Sequence, residues 1–175
     1  MRHLQAKHIT DVDTLFDSLE WDIIELDFSI DSDSLQHYYP ELQDLDEAKF
    51  YYDCVPMKVY KFGILNSMIE TLTLPALRQM LIALHPPGLK VDTHTDGKTR
   101  KLHVPFYTNK DAVFTFGENR ERKYHMELGK GYIINTLVPH GTENNGNTER
   151  VHLLSRVDDS FMHSLLSLNC NIADK

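Results

Sequence analysis

From about residue 77 onward, short apolar runs alternate with turn residues at fairly regular intervals. Pro86-Pro87-Gly88, Asp96-Gly97 and Gly129-Lys130-Gly131 mark three of the turns. Several short strands at this spacing are typical of a β-sandwich or barrel, whereas βαβ units place a helix between strands. The predicted strands are Gln79–Leu84, Leu89–Thr93, Leu102–Tyr107, Ala112–Phe116, Lys123–Leu128, Tyr132–Asn135 and Val151–Ser155. We therefore expect a mainly β fold with a jelly-roll core at residues 77–157.

Helical patterns flank this predicted core. Apolar residues recur at helical spacing from about 11 to 20 and again at 64–72, before Pro75. Ser160 is a candidate N-cap for a last amphipathic helix within 158–175. A chain of 175 residues suits one domain. We expect residues 1–76 to form a mainly helical or irregular N-terminal part of that domain.

Composition excludes several classes of function. The net charge is −8 and no run of Lys or Arg is present, which argues against a nucleic-acid partner. No stretch approaches about 18 apolar residues, the length of a membrane span. The N-terminus lacks the apolar segment of a secretory signal. Cys54 and Cys170 are isolated, which favours free thiols in a reducing compartment over one structural disulfide. We expect a cytoplasmic protein.

His94 and Asp96 lie two residues apart at the end of a predicted strand. Side chains alternate along a strand, so both should point to the same face. Aspartate is unfavourable in a strand, which makes a charged partner for Asp96 an expectation. Taken alone, the pattern is more often a solvated turn.

Two further residues extend this pattern. His140 follows several strands later, where a roll of two sheets could bring it back on a facing strand. Two imidazoles and one carboxylate are the ligand set of non-heme Fe(II) oxygenases. Arg150 begins an apolar strand, a costly place for an unpaired cation. It would suit either a bidentate carboxylate ligand or an ordinary salt bridge to one of the 26 acidic residues.

The order of these motifs extends over roughly residues 70–158. They are Leu84-His-Pro-Pro-Gly88, His94-Thr-Asp96, Leu102-His-Val-Pro-Phe-Tyr-Thr-Asn109, Gly131-Tyr-Ile-Ile-Asn135, His140-Gly-Thr-Glu-Asn144 and Arg150-Val-His-Leu153. Together they resemble the aspartyl/asparaginyl β-hydroxylase family of Fe(II)/2-oxoglutarate-dependent dioxygenases, which includes free-proline hydroxylases. The resemblance implies a double-stranded β-helix, in agreement with the predicted strands.

The resemblance also implies roles for individual residues. His94, Asp96 and His140 would be the catalytic iron ligands, and Arg150 would bind the distal carboxylate of 2-oxoglutarate. His103 would hydrogen-bond the same co-substrate. With O2 as the oxidant, the implied reaction is hydroxylation of an amino acid, free or in a peptide. Asp, Asn and Pro are the leading candidates.

One position departs from the family pattern. The family usually has an arginine two residues before the histidine equivalent to His103, and this chain has Lys101 there. Alternation places Lys101, and not Arg100, on the face of His103. We expect Lys101 to be a cation of the pocket. Lysine offers a point charge and not a planar fork, so it would hold an anion differently.

The other polar residues of this region are expected to be structural. His152 shares a strand face with Arg150, and a core position is favoured over a pocket position. Arg120 and Arg122 could reach an acidic substrate, although a solvated loop is the favoured interpretation. The remaining histidines of this half have no partner spacing and are expected to be structural or exposed: His85, His125 and His163.

Two other classes of function compete with an enzyme. A jelly-roll module could bind a metal or a small acid without oxidising anything, and an interaction protein could carry the histidines incidentally. The complete ligand set together with Arg150 favours the dioxygenase. The loops expected to select the substrate, within 31–60 and 117–123, contain no informative motif.

Overall fold

The computed structural model describes residues 2–9, 11, 13–27, 55–56, 78–97, 100–158, 160 and 163–164. Eleven strands within them form two sheets. The strands are β1 (His3–Gln5), β2 (Ile23–Asp27), β3 (Val55–Pro56), β4 (Arg78–His85), β5 (Lys90–His94), β6 (Arg100–Tyr107), β7 (Ala112–Phe116), β8 (Arg122–His125), β9 (Lys130–Ile134), β10 (His140–Asn144) and β11 (Arg150–Val157). The other described elements are the α-helix α1 (Asp13–Phe16) and a 3-10 turn at Ala6–His8, and Ser160, His163 and Ser164 are also helical.

The larger sheet has the strand order β1-β2-β9-β6-β11-β4-β3, and the smaller has the order β5-β10-β7-β8. All described pairings are antiparallel except that of β1 with β2. Neighbours such as β4 and β11, or β5 and β10, are far apart in the sequence. This crossing of the chain between two sheets confirms the predicted double-stranded β-helix.

Both sheets contribute side chains to an apolar core cluster. Its buried members are Ile23, Phe114, Phe116, Met126, Tyr132, Ile134 and Val138. Burying each of the larger side chains contributes about 1.5–3 kcal/mol, enough for this cluster to hold the sheets together. Phe106 is also fully buried. Phe106, Phe114, Phe116 and Tyr132, all from predicted strands, are thus core residues.

The described residues contain less helix than the sequence predicted. Among the described residues of the helix expected at 11–20, Asp13–Phe16 are helical. The indole of Trp21 donates to the carbonyl of Leu15 (2.7 Å), which turns the chain back towards β2 after one turn of helix. The helix predicted at 64–72, most of that at 158–175 and both cysteines lie outside the described residues. No described helix is long and apolar enough to span a membrane.

The expectation that Arg120 belongs to a solvated charge run is wrong. Its guanidinium donates to the Val91 carbonyl (2.6 Å), Thr93 Oγ1 (3.2 Å) and Glu143 Oε1 (3.1 Å). Arg120 adopts a positive φ of 55°, a costly conformation for a residue with a Cβ, and these hydrogen bonds offset the cost. Glu143 also accepts from Lys123 (3.1 Å). Arg120 and Glu143 thus fasten β5 and β10 to the loop before β8.

Glu143 should make stability depend on acid pH. Burial alone would raise its pKa, but hydrogen bonds from Lys123 and Arg120 outweigh burial and lower the pKa from 4.5 to about 2. A carboxyl whose pKa is lower in the folded state stabilises the fold above its unfolded pKa. That stabilisation should be lost as the pH falls from about 4.5 to about 2. When the midpoint of thermal unfolding is measured across this pH range, it should fall less for Glu143→Gln than for the parent. An equal fall in the two proteins would contradict this role of Glu143.

Candidate metal centre

His94 and His140 occupy neighbouring strands of the smaller sheet. They are direct register partners on β5 and β10, with ring centroids 4.6 Å apart. His140 therefore lies beside His94 in the same sheet, and the expectation of a facing strand is wrong. The register shifts next to His140, at Gly141. A Cβ on Gly141 would lie 2.7 Å from the Val91 carbonyl oxygen, so only glycine lets β5 approach this closely.

Asp96 joins the two histidines from just beyond the end of β5. Its backbone N–H donates to the Thr136 carbonyl (3.1 Å), which fixes the turn. The carboxylate oxygens lie 3.7 Å from His94 Nε2 and 3.7 Å from His140 Nε2. One ligand atom from each residue lies within 4.8 Å of the others. The alternation argument for His94 and Asp96 correctly predicted that their side chains meet.

The hydrogen bonds of the two imidazoles suit them for metal binding. His94 Nδ1 lies 2.8 Å from the Asp92 carbonyl oxygen, and His140 Nδ1 lies 2.9 Å from that of Val138. A carbonyl can only accept, so Nδ1 carries the proton in each ring. Nε2 of each ring then has a lone pair directed towards Asp96. Backbone carbonyls orient metal-ligating histidines in this way in known sites. The residues therefore fit a divalent metal.

Lys101 provides the charged partner expected for Asp96. Its ammonium donates to Asp96 Oδ2 (2.5 Å). The pKa of Asp96 is lowered first by the His140 ring, which can donate to the carboxylate only when both of its nitrogens are protonated, and then by the ammonium of Lys101, against the opposing effect of burial. Asp96 is thus ionised at neutral pH. Arg100 is fully buried on the other face of β6, with its guanidinium 5.7 Å from the Trp21 ring. Alternation therefore assigned Lys101 and Arg100 to their faces correctly.

A cavity between the sheets extends from these residues into the fold. Its volume is about 140 Å³, where one water needs roughly 10–15 Å³, so it can hold a molecule of several heavy atoms. His94 is 41% exposed at the open side, whereas Arg150 and His103 are almost fully buried. The lining includes His94, Asp96, Lys101, His103, His140 and Arg150. The structure thus brings all six predicted site residues to one cavity.

Arg150 and His103 are oriented by Phe114. The guanidinium of Arg150 lies 5.0 Å from the centre of that ring, and His103 packs edge-on against it at 4.8 Å. Burial, and then the charge of Arg150, lower the pKa of His103 well below its usual value, so its imidazole is neutral. His152 is buried and stacks on Phe114 at 6.3 Å, outside the cavity lining, which confirms its core position. A satisfied histidine was expected there, but neither ring nitrogen has a hydrogen-bond partner among the described residues.

Several cavity residues were not predicted from the sequence, among them His85 and Thr142. His85, expected to be structural or exposed, is buried and lines the cavity with Thr142. Thr142 lies two residues after His140, so strand alternation could have indicated it. Nothing in the sequence pairs His85 with a residue so far away.

Two solved structures with TM-scores above 0.5 share the fold of this chain. HygX from Streptomyces hygroscopicus, solved with iron bound, is 14% identical with a TM-score of 0.54, over 85% of this chain and 86% of that one. The non-heme alpha ketoglutarate dependent epimerase SnoN from nogalamycin biosynthesis is 12% identical with a TM-score of 0.52, over 83% of this chain and 81% of that one. A Klebsiella pneumoniae protein with a double-stranded beta-helix domain is 15% identical over 45% of this chain, with a TM-score of 0.37. The chain spans 64% of that protein's length.

Sequence comparison identifies the family. No curated protein sequence matches the chain significantly. The family model of the aspartyl/asparaginyl beta-hydroxylases matches residues 49–164, about two thirds of the 175 residues and all of the cavity lining. The chain belongs to the aspartyl/asparaginyl β-hydroxylase family.

Proposed function

We propose that the protein is an Fe(II)- and 2-oxoglutarate-dependent dioxygenase that hydroxylates an amino acid, free or within a peptide. The observation that carries this proposal is the convergence of His94, Asp96 and His140 in a cavity that also contains Arg150. Family membership supports an Asp- or Asn-type substrate. The iron in HygX and the alpha ketoglutarate dependence of SnoN support the cofactors.

His94, Asp96 and His140 would hold the iron. Two neutral imidazoles and one carboxylate leave coordination positions open for co-substrate and O2. Bound iron, with 2-oxoglutarate and O2, supplies the oxidising power: the keto acid becomes succinate and CO2, and the second oxygen atom enters a C–H bond of the substrate. The backbone carbonyls of Asp92 and Val138 keep both histidines in the tautomer that this binding requires.

Arg150, His103 and Lys101 would bind the co-substrate. Arg150 can donate two parallel hydrogen bonds to a carboxylate, and its burial excludes competing water. Neutral His103 has one N–H to donate, and its Nδ1 has no partner within the described part of the chain. Lys101, beside Asp96, contributes a positive charge between the metal ligands and this end of the cavity.

Succinate formation tests the proposal directly. The parent protein supplied with Fe(II), 2-oxoglutarate, O2 and peptides or free amino acids containing Asp, Asn or Pro should release succinate and add one oxygen atom to one substrate. His94→Ala should abolish both products by removing a metal ligand. His163→Ala is the matched control, because His163 is half exposed and lies beside Asp13 at the surface.

Two outcomes would contradict the proposal. Succinate release that persists without iron or O2 would exclude the mechanism. Tight binding of metal and 2-oxoglutarate without any oxidation would favour the jelly-roll binding module. Mass spectrometry of both products distinguishes these cases.

A further inference from the structure

His85 and Thr142 make a contact that joins the two sheets inside the cavity. His85 ends β4 and is the register partner of Arg150 on β11. Thr142 is on β10 of the other sheet, two residues beyond His140. His85 Nδ1 lies 3.2 Å from Thr142 Oγ1, and both side chains line the cavity together with Arg150. A polar pair therefore lies in the cavity wall beside the buried guanidinium.

The pair is held firmly in place. The side-chain amide of Asn144 donates to the backbone carbonyl of His85 (2.8 Å) and to that of Thr148 (2.9 Å). The Asn144 amide therefore links the end of β10 to the end of β4, next to the His85–Thr142 contact. Both side chains are only 6% exposed, so bulk water does not replace their hydrogen bonds. Fixed donors of this kind are suited to orienting a ligand.

The chemistry of the pair leaves one donor hydrogen for a ligand. Burial, and then the charge of Arg150, lower the pKa of His85 to about 2, so the imidazole is neutral and has one N–H. If Nδ1 donates to Thr142, the threonine hydroxyl hydrogen is available to another acceptor. If the hydroxyl donates to Nδ1, the proton is on Nε2 and that N–H is available. In either tautomer the pair can donate to an acceptor bound near Arg150.

We propose that His85 and Thr142 complete the subsite for the distal carboxylate of the keto acid by adding a hydrogen-bond donor beside Arg150. This assignment rests on the proposed function and names two further co-substrate-binding residues. A carboxylate there would receive charge-assisted hydrogen bonds from the guanidinium and one from the pair. The pair would therefore favour a 2-oxo dicarboxylic acid over a 2-oxo monocarboxylic acid of similar size.

Binding of two keto acids to the Mn(II)-loaded protein tests this assignment by calorimetry. Thr142→Val keeps the shape of the side chain and removes the hydroxyl. It should weaken 2-oxoglutarate binding about tenfold, the usual effect of losing one hydrogen bond to a charged group. Binding of 2-oxobutyrate, which lacks the distal carboxylate, should not change. Affinity for Mn(II) should also remain that of the parent, whereas the midpoint of thermal unfolding should fall, because the buried His85 Nδ1 loses its partner.

Matched variants separate binding from packing. Thr142→Ser keeps the hydroxyl and should restore 2-oxoglutarate affinity. Thr115→Val is the control, because Thr115 is a fully buried threonine on neighbouring β7 that is not part of the cavity lining. His85→Phe should reproduce the selective loss of 2-oxoglutarate binding. If the Thr142→Val variant bound 2-oxoglutarate as tightly as the Thr115→Val variant, the assignment would be overturned and the proposed function would stand. A parent protein that binds neither keto acid would overturn both.

Discussion

Asp96→Ala is expected to reduce Mn(II) affinity by more than ~100-fold and to abolish succinate formation. Removing a residue that only orients a metal ligand lowers metal affinity by roughly 10–100-fold. Asp96 is itself the carboxylate of the proposed ligand set, so its removal should have a larger effect. Its loss also leaves the ammonium of Lys101 without the carboxylate 2.5 Å away. That cation would then repel a divalent metal held by His94 and His140. The two histidines alone should bind it weakly.

Asp92→Ala is the matched control for this experiment. Asp92 lies on β5 two residues before His94, and its side chain is 97% exposed. The alanine variant keeps the backbone carbonyl that orients His94. Titration of both variants with Mn(II), followed by electron paramagnetic resonance, should show parent-like affinity for Asp92→Ala alone. Equal affinities for the two variants would remove Asp96 from the ligand set.

The sequence predicted that His94 and Asp96 meet because strand periodicity is a local property. The spacing of His94 and Asp96, and the choice of Lys101 over Arg100, required only alternation along one strand. The strand beginning at Arg150 was equally predictable. The strand that lies next to His94 could not be predicted. The register between β5 and β10 depends on long-range pairing and on the close approach that Gly141 allows.

The N-terminal strands were missed for a different physical reason. β2 reads Ile23-Ile24-Glu25-Leu26-Asp27, and Ile23, Ile24 and Leu26 are all fully buried. A strand covered on both faces does not alternate between apolar and polar residues, so periodicity does not distinguish it. Arg120 and His85 were misjudged because their partners are far away in sequence. The contacts of Arg120 with Glu143 and of His85 with Thr142 form only in the folded chain.

Asp22→Ala is expected to cause the largest loss of stability among single substitutions in the described polar network. Asp22 is fully buried and accepts hydrogen bonds from Arg2 (3.0 Å), Arg122 Nε (2.7 Å) and the hydroxyl of Tyr124 (2.9 Å). Burial, and then the hydrogen bond to Asp22, raise the pKa of Tyr124 to about 12, so this phenol remains a donor at neutral pH. One carboxylate therefore joins the segment before β2 to β8 in the smaller sheet.

The expected size of the effect follows from the exposure of the partners. Removing one member of a fully buried ion pair costs about 3–5 kcal/mol. Arg122 keeps 25% of its side chain exposed and Arg2 keeps 38%, so water can compensate part of the loss. We therefore expect the free energy of unfolding to fall by roughly 2–4 kcal/mol for Asp22→Ala, measured by denaturant titration.

Asp13→Ala is the control for this substitution. Asp13 also has a polar contact, with His163 Nε2 (2.9 Å), but its side chain is 85% exposed. Exposed pairs contribute at most about 1 kcal/mol, so this variant should remain close to the parent. Asp22→Asn keeps an acceptor oxygen and should lose less stability than Asp22→Ala. If Asp22→Ala and Asp13→Ala had equal free energies of unfolding, the buried Asp22 would contribute no more stability than the exposed Asp13. Asp22 would then not hold the two sheets together.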